Sequence, residues 1–460
     1  MGTDRLAELL GPWLGAGPAY TAVAAGIRGL ALDGRLALGT RVPSERTLAA
    51  ALRLSRTTVT AAYDVLRTEG YLVSAGGAGS RVTLPASAPE RPDADPGEPA
   101  VVRDLTVAAT PAPAQLLDAV AQAATDLRPL LSGHGLHPYG LPALRTGVAA
   151  HLTRRGLPTV PEQVMVTNGA LAGWDLLLRT VTRPGQRALV EQPTYPSALD
   201  AVVAAHLRPV PLPVTAEGWE LPAGAADVAL LTPDGQNPTG LLADDRQRRA
   251  LLAAVDAPVV AADETFTDLV LDGAPPTPLA VLDRRVVTLG SMSKAFWSGL
   301  RVGWVRADPP LLARLAQTRG TVDLSSPVLE QLVAVRLLAV ADEVLADRVA
   351  WLTAARDALL AALADQLPDW RATRPQAGAM LWVQLPGGSS TRLAGHALDL
   401  GLRVTPGPRF TVDGTADRWL RLPLSVPAEG AGELVGVLRE AWRRTAAGAV
   451  SGRTAPRWTA

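Results

Sequence analysis

The stretch Gly290-Ser-Met-Ser-Lys-Ala-Phe-Trp-Ser-Gly-Leu-Arg301 contains Lys294, the only lysine among the 44 lysine and arginine residues of this 460-residue chain. A primary amine can lose its proton and form a Schiff base, whereas a guanidinium cannot. A composition poor in lysine could leave one by accident, but that does not account for the serines and the arginine around it. We therefore expect Lys294 to carry out amine chemistry.

Composition limits the possible classes of function. The length predicts two or three domains, and 48% hydrophobic residues are enough to bury their cores. The absence of cysteine excludes disulfides, cysteine-ligated zinc fingers and thiolate catalysis, and the five scattered histidines argue against a metal site. Since 44 acidic residues balance 44 basic ones, any affinity for DNA must come from a local patch. We expect a cytoplasmic protein without a membrane segment.

The chain divides by composition into a small head, a linker and a larger body. Residues 15–84 are rich in turn signals, and residues 85–103 are mostly a Pro/Ala/Asp/Glu-rich linker. Over residues 104–445, apolar runs alternate with helical segments, which predicts an α/β fold with a doubly wound, mostly parallel sheet. The large domain spans about 130–340 and a smaller α+β domain mainly 345–445. We expect residues 446–460 to form a flexible tail.

The head has the pattern of two short helices followed by a hairpin. Ser44 is a helix N-cap before Leu48, and Ser55 can cap a second helix whose buried stripe includes Val59 and Tyr63. Residues 71–84 read as a two-stranded wing. Nine arginines face six acidic residues between residues 1 and 84, so the positive excess is modest. From this spacing, DNA binding and a merely solvated domain remain equally open.

Several residues of the body follow candidate strands, where open α/β sheets place their ligands. Pyridoxal phosphate acts as an electron sink when a buried carboxylate holds the proton on its ring nitrogen, which suits Asp263. Asn237 can donate to the phenolic oxygen, and Tyr195 can lie on the ring face. The phosphate needs donors, and the candidates are the backbone N–H groups of Gly169, Ala170 and Leu171 and the side chains of Ser291, Ser293 and Arg301.

The head motifs Pro43-Ser-Glu-Arg46 and Leu54-Ser-Arg-Thr-Thr58, with the glycine turn at 76–79, closely resemble the winged helix-turn-helix of GntR-type transcription regulators. The resemblance implies double-stranded operator DNA as a partner. It implies that the DNA-contacting residues are Arg46, Ser55, Arg56, Thr57, Thr58 and Gly77. A relic that no longer binds DNA is the competing interpretation.

The order of the body residues, with Ser-Met-Ser-Lys294 followed by Arg301, resembles the fold-type I aminotransferases from about Asp104 to Trp442. The resemblance implies a homodimer in which Tyr139 reaches the phosphate of the neighbouring subunit and Arg421 grips a substrate carboxylate. One departure is Phe266, near where many members have a tyrosine that donates to the phenolic oxygen. Phe266 either weakens turnover or simply packs.

A GntR-type head joined by a linker to an aminotransferase-like domain resembles the MocR-type regulators. The resemblance implies a pyridoxal-phosphate-dependent transcriptional regulator that senses an amino-compound effector, or the cofactor itself, by aldimine exchange at Lys294. The rival interpretation is a working aminotransferase with a vestigial or autoregulatory head. A binding module with neither activity would require both sets of motifs to be coincidental.

Overall fold

The computed structural model describes residues 2–10, 19–32, 35–36, 39–68, 71–74, 79–83, 103–221 and 224–447. The wing residue Gly77, nearly all of the expected linker and nearly all of the expected tail lie outside these ranges. In the described part of the chain, no helix is both long and apolar enough to cross a membrane.

The head folds around the apolar faces of its helices. Its elements are α1 (Thr3–Leu10), α2 (Ala19–Leu32), α3 (Glu45–Leu52), α4 (Arg56–Thr68), β1 (Leu72–Ser74) and β2 (Ser80–Val82). Leu48, Val59 and Tyr63 are buried together in its core. The Tyr63 hydroxyl donates to the carbonyl of Pro43 at 2.9 Å, which fixes α4 against the segment before α3. The hairpin of β1 and β2 is antiparallel, as the wing pattern predicts.

The body begins with β3 (Arg103–Asp104) and builds a mixed sheet. Its strands are β4 (Val164–Thr167), β5 (Arg187–Gln192), β6 (Arg208–Thr215), β7 (Gly218–Trp219), β8 (Val228–Leu231), β9 (Val260–Asp263), β10 (Val286–Ser291) and β11 (Gly303–Arg306). Among the described residues these eight strands have the order β4-β11-β10-β9-β8-β5-β6-β7. Pairing is parallel from β10 through β6, while β11 and β7 run antiparallel to their neighbours. The carboxyl ends of the parallel strands therefore meet at one edge.

Helices cover both faces of this sheet. They are α5 (Leu116–Asp126), α6 (Pro142–Arg154), α7 (Ala170–Val181), α8 (Pro196–Ala204), α9 (Asp245–Ala254), α10 (Leu279–Leu282), α11 (Pro309–Arg319) and α12 (Val328–Ala339). Successive strand residues enter different cores: Val190 and Ala261 pack under α7 and α11, whereas Leu189 and Val260 pack under α9. A strand that is buried on both faces reads as a continuous apolar run, as these strands do.

The small domain packs an antiparallel sheet against helices. Its elements are α13 (Ala341–Gln366), β12 (Arg371–Ala372), β13 (Met380–Gln384), α14 (Ser390–Asp399), β14 (Leu402–Arg403), β15 (Thr405–Pro406), β16 (Trp419–Pro423) and α15 (Ala431–Ala446). The sheet order is β12-β13-β16-β15, and β14 pairs separately with β3. Leu381 and Leu422 belong to the core that includes these helices, so Trp382 and Arg421 lie on the opposite face of the sheet.

Candidate functional site

Lys294 lies in the turn after β10, half-buried beside the ring of Phe266, whose centroid is 5.9 Å from the lysine Nζ. Burial lowers the pKa of Lys294 to about 7; the nearby Arg421 and Arg301 guanidinium groups act in the same direction, and Asp263 opposes them. Near neutral pH a large share of this amine therefore carries no proton. A neutral amine has the free electron pair that a nucleophile needs.

Asp263 is the last residue of β9 and pairs with Leu289 of the neighbouring β10. One carboxylate oxygen accepts hydrogen bonds from the backbone N–H and the hydroxyl of Thr265. Burial nevertheless raises the pKa of Asp263, although Thr265 and Lys294 favour its charged form. A desolvated carboxylate of this kind binds best to a group that brings its own positive charge or proton.

Asn237 and Tyr195 approach from the strands beyond Asp263. Asn237 follows β8 and is buried, and its side-chain oxygen has no hydrogen-bond partner within the described residues. Tyr195 directly precedes α8, and burial is the main cause that raises the pKa of its hydroxyl. Arg421, Asp263 and Arg301 act electrostatically on both Tyr195 and Lys294. Tyr195 and Lys294 therefore lie close to the same three charged groups, near the carboxyl edge of the sheet.

An anion cradle lies at the start of α7. Gly169 precedes this helix with a φ of 88°, a conformation that favours glycine. The Arg301 guanidinium donates to the carbonyl of Asn168 at 3.0 Å. The same guanidinium lies so close to Gly169 that a Cβ atom added to this glycine would be 3.0 Å from it. The Ser291 hydroxyl donates to the Ser293 hydroxyl at 2.9 Å and accepts from the Ser293 backbone N–H. The helix N-terminus with its free N–H groups, the arginine and the serines suit a phosphate.

The structure thus brings together the sequence-predicted amine, carboxylate, tyrosine and Arg301 of the anion cradle, and Asn237 follows the strand next to that of Asp263. The desolvated Asp263 suits a partner that brings its own proton, such as a pyridine ring nitrogen, and the side-chain nitrogen of Asn237 can donate to a phenolic oxygen. A phosphorylated pyridine aldehyde offers a ring nitrogen, a phenolic oxygen, a carbonyl and a phosphate. The residues present fit pyridoxal phosphate.

Arg421 lies in β16, where it is opposite Trp382 of β13 and Thr405 of β15. Its side chain is completely buried, and desolvation lowers its pKa to about 10. One nitrogen, Nη2, donates to the carbonyl of Thr106, and the ring centroid of Phe410 lies 5.1 Å from the guanidinium carbon. The other two nitrogens, Nε and Nη1, have no partner within the described residues. A buried cation with two open donors calls for an anion such as a carboxylate.

A segment that the sequence analysis missed, residues 105–111, lies against both Arg421 and the lysine loop; we call it the strap. At one end the Thr106 carbonyl accepts from Arg421. At the other end Arg348 donates to the carbonyl of Pro111 at 2.8 Å and to those of Ala295 and Phe296 at 3.2 and 3.0 Å. Arg348 had no sequence signal, because an arginine within a long helix is usually a solvated residue.

Phe266 and Tyr139, the two remaining aromatic candidates, lie in different surroundings. Phe266 is 4% exposed and places a hydrocarbon ring, rather than a hydroxyl, beside the lysine. Tyr139 is half-buried, and the guanidinium of Arg145 lies 5.6 Å from its ring centroid. Its expected role in a neighbouring subunit stays a prediction.

The head presents polar side chains at the start of α4. Ser44 accepts from the backbone N–H of Thr47 at 3.2 Å, and Ser55 accepts from that of Thr58 at 3.1 Å, so both serines cap helices as their positions predict. Among the DNA-contact candidates, Arg46, Ser55, Arg56 and Thr57 are exposed and Thr58 is half-buried. This surface can donate hydrogen bonds to base edges and phosphates.

Comparisons with known proteins match both parts. The family model "Aminotransferase class I and II" matches residues 104–438, and "Bacterial regulatory proteins, gntR family" matches residues 19–82. The chain is 30% identical to the HTH-type transcriptional regulator TauR of Rhodobacter capsulatus, over 82% of this chain and 87% of that protein. It is 33% identical to the HTH-type pyridoxine biosynthesis transcriptional regulator PdxR of Corynebacterium glutamicum, over 66% of this chain and 68% of that protein. The α-aminoadipate aminotransferase LysN of Thermus thermophilus, solved with N-(5'-phosphopyridoxyl)-L-leucine, is 29% identical with a TM-score of 0.68, covering 75% of this chain and 93% of that one.

Proposed function

The chain belongs to the class I and II aminotransferase family and, with its gntR-family head, to the MocR-type regulators, and on that premise we propose how it senses its effector. It is a pyridoxal-phosphate-dependent, DNA-binding transcriptional regulator. Its aminotransferase-like domain binds an amino compound or the cofactor itself, and this binding alters DNA affinity. The observation that carries the proposal is that Lys294, whose pKa is lowered to about 7 by burial, lies close to the buried guanidinium of Arg421, which has two open donors, in a chain with a gntR-family head.

Each side chain of the site has a distinct proposed task. When bound, pyridoxal phosphate supplies a carbonyl carbon that a primary amine can attack and that a second amine can take over. Lys294 holds the cofactor through its uncharged amine, and Asp263 keeps a proton on the ring nitrogen. Asn237 faces the phenolic oxygen, and Tyr195 covers the ring. The N–H groups of residues 169–171, with Ser291, Ser293 and Arg301, bind the phosphate.

Arg421 gives the site its preference for amino acids over simple amines. Its open Nε and Nη1 lie on different edges of the guanidinium, and a carboxylate oxygen can accept a hydrogen bond from either one. An amino acid held there would present its amine toward the cofactor carbon that Lys294 holds. The ammonium group of the amino acid must lose a proton, and the Lys294 amine, with a pKa of about 7, could take up that proton when it is released.

Phe266 favours sensing over turnover. A hydroxyl at this position would donate to the phenolic oxygen, and the phenylalanine ring cannot do so. Each of the other roles has a candidate residue, which supports a second candidate function, a working aminotransferase. Sustained conversion of an amino donor and a keto acid would favour the enzyme, whereas binding without turnover would favour the sensor.

We also infer that the protein is a homodimer. Part of the surface, which we call the apolar face, is formed by large apolar side chains that are 38 to 79% exposed: Leu117 and Val120 of α5, Leu131, Leu136 and Leu329. α5 packs on α12, so these residues lie on neighbouring segments, and Tyr139 is in the same stretch of chain. A second copy of the chain would cover this face. Analytical ultracentrifugation of the full chain tests the inference.

Binding to DNA tests the whole proposal. The cofactor-loaded protein is titrated with DNA from upstream of its own gene and with scrambled DNA of equal length, at stated salt. We expect tight, sequence-dependent binding that changes when pyridoxal phosphate or an amino acid is added, and we place the protein in the cytoplasm, where it meets that DNA. The Lys294→Ala variant should still bind DNA but lose the visible band of the lysine-bound cofactor. Binding that depends on salt but not on sequence would refute the regulator.

A further inference from the structure

Arg67 lies in the last turn of α4, where the helices and the hairpin of the head meet. It is not among the sequence-predicted DNA contacts, and its side chain is 30% exposed. Its guanidinium donates hydrogen bonds to four side chains: to Asp64 at 2.7 Å, and to Glu45, Ser74 and Ser80 at 3.1 Å each. These partners belong to α4, α3, β1 and β2 in turn. One side chain therefore links both helices to both strands of the hairpin.

Glu45 connects Arg67 to the part of the head that carries the DNA-contact candidates. One carboxylate oxygen accepts from Arg67, and the other accepts from the hydroxyl of Thr60 at 3.0 Å. The hydrogen bond from Arg67 is the main cause that lowers the pKa of Glu45, and the charge of Arg56 acts in the same direction. Glu45 also directly precedes Arg46 in the sequence. The ion pair therefore lies close to two of the candidates.

Ser74 and Ser80 are the pair of the hairpin that lies next to its turn. They are direct partners in the ladder of β1 and β2, and their hydroxyl oxygens are 3.3 Å apart. Side chains of directly opposite residues project from the same face. Because Arg67 donates to both hydroxyls, it binds both strands at the end of the hairpin that leads into the turn.

Other contacts hold the opposite end of the hairpin. Leu72 and Val82 form the first pair of the ladder and are buried in the core of the head. Backbone hydrogen bonds also tie β2 to residues 39–42. Each strand has only three residues, and a two-stranded hairpin is at best marginally stable on its own. The core therefore holds the hairpin at its base, and Arg67 ties the end near the turn to α4.

We propose that Arg67 is a positioning residue for DNA recognition, which holds the hairpin at a fixed angle to α4 so that both meet the operator together. The inference rests on the proposed function and deepens it, because it names a residue that sets operator specificity without touching DNA. Four hydrogen bonds within the head already engage the guanidinium, which has five N–H groups. An exposed ion pair contributes little to stability, so Arg67 affects orientation rather than folding.

The orientation of the hairpin can be measured without DNA. The chain has no cysteine, so cysteines introduced by Val73→Cys in β1 and Ala51→Cys in α3, both at exposed positions, carry the only spin labels. Labelled full chain is diluted into an excess of unlabelled chain, so that most label pairs lie within one head. Double electron–electron resonance then gives the distribution of their distances. Arg67→Lys should broaden this distribution, because an ammonium cannot reproduce the planar fork that spans four partners.

DNA binding by the same variant separates positioning from contact. The readout is the ratio of affinities for the DNA from upstream of its own gene and for scrambled DNA. Arg67→Lys should lower this ratio about tenfold, the size expected when about one specific contact is lost. Since lysine keeps the positive charge, affinity for scrambled DNA and the salt slope should stay unchanged. An arginine that only neutralises a phosphate would tolerate this substitution.

Two further variants test the route through the hairpin. The double variant Ser74→Ala and Ser80→Ala removes both hairpin acceptors but keeps Arg67, and it should lower the affinity ratio and broaden the distance distribution as Arg67→Lys does. Asp64→Ala breaks only the pair within α4 and should change neither quantity. Urea unfolding of each variant checks that the head is folded, and the double serine variant decides the question if Arg67→Lys does not fold.

The remaining outcomes overturn the inference in distinguishable ways. If Arg67→Lys leaves the distance distribution unchanged but lowers the affinity ratio, Arg67 acts on DNA directly. If the double serine variant keeps the wild-type ratio and distribution, the hairpin is not held through Arg67. If the wild-type chain does not distinguish the two DNA molecules, the proposed function fails, while the distance measurement still decides whether Arg67 fixes the hairpin.

Discussion

The acidity of Lys294 offers a direct test of the site in the cofactor-free protein. Its pKa is lowered from 10.5 to about 7 by burial and by the positive charges of Arg421 and Arg301. At pH 7 about half of the Lys294 side chains are therefore neutral, compared with fewer than about one in a thousand for an ordinary lysine of pKa near 10.4. The fraction of Lys294 side chains that are neutral decreases as the pH falls below 7 and approaches one well above pH 7.

The assay is the pH dependence of acylation. A limiting amine-reactive reagent is added at each pH, and peptide mass spectrometry quantifies modification at Lys294. The α-amino group, with a pKa of about 7.7–8.0, is an internal reference in the same sample. Because Lys294 is the only lysine, no other side-chain amine competes. We expect the rate at Lys294 to rise with a midpoint near pH 7.

Charge substitutions should move this midpoint in opposite directions. Arg421→Met removes a charge that lowers the pKa of Lys294, so the midpoint should rise. Asp263→Asn removes the charge that raises it, so the midpoint should fall. A wild-type midpoint near the ordinary lysine value, or shifts of the same sign in both variants, would refute the argument that Lys294 is desolvated among these three charges.

Three other predictions test separate parts of the molecule. Arg56→Ala should weaken operator binding and reduce the slope of log affinity against log salt by about one, with an unchanged cofactor spectrum. Fluorescence anisotropy at several salt concentrations measures the affinity and the slope, and no change in either would contradict the prediction. Asp234→Asn leaves the buried Arg248 without its ion-pair partner and should cost about 3 kcal/mol in urea unfolding, whereas Asp175→Asn, at an exposed pair, should cost less than about 1 kcal/mol. Phe266→Tyr should raise transamination turnover of an amino donor and a keto acid without tightening cofactor binding, and an unchanged turnover number would make Phe266 a packing residue.

The parts of the fold that follow from local pattern could be predicted from the sequence. The continuous apolar runs at Val164 and Val228 form strands whose residues are all buried, because burial on both faces of a sheet selects such runs. The caps Ser44 and Ser55 were predictable because a side-chain oxygen before a helix satisfies a free N–H. The convergence of Asp263 and other strand-end residues followed from the shared edge of parallel strands.

Features that depend on distant pairing were not predictable. The sequence did not predict β6, because Pro209, Pro211 and Pro213 argue against a strand. The strand tolerates these prolines because they occupy alternate positions, and because it pairs with β5 along one side and with the short β7 only near its end. Thr405 gave no signal, since nothing in its local sequence says that it will face Arg421 across a ladder.

The bond between Arg421 and the strap has a thermodynamic consequence for the whole chain. The guanidinium that offers its open donors to a ligand also binds the carbonyl of Thr106. Thr106 lies two residues after β3, near the start of the body and therefore on the side of the head in the sequence. Linkage requires reciprocity: whatever factor the ligand applies to operator affinity, operator DNA must apply to ligand affinity. A ligand titration at saturating operator therefore measures the same coupling free energy as a DNA titration at saturating ligand, and the DNA itself would act as an effector of the ligand site.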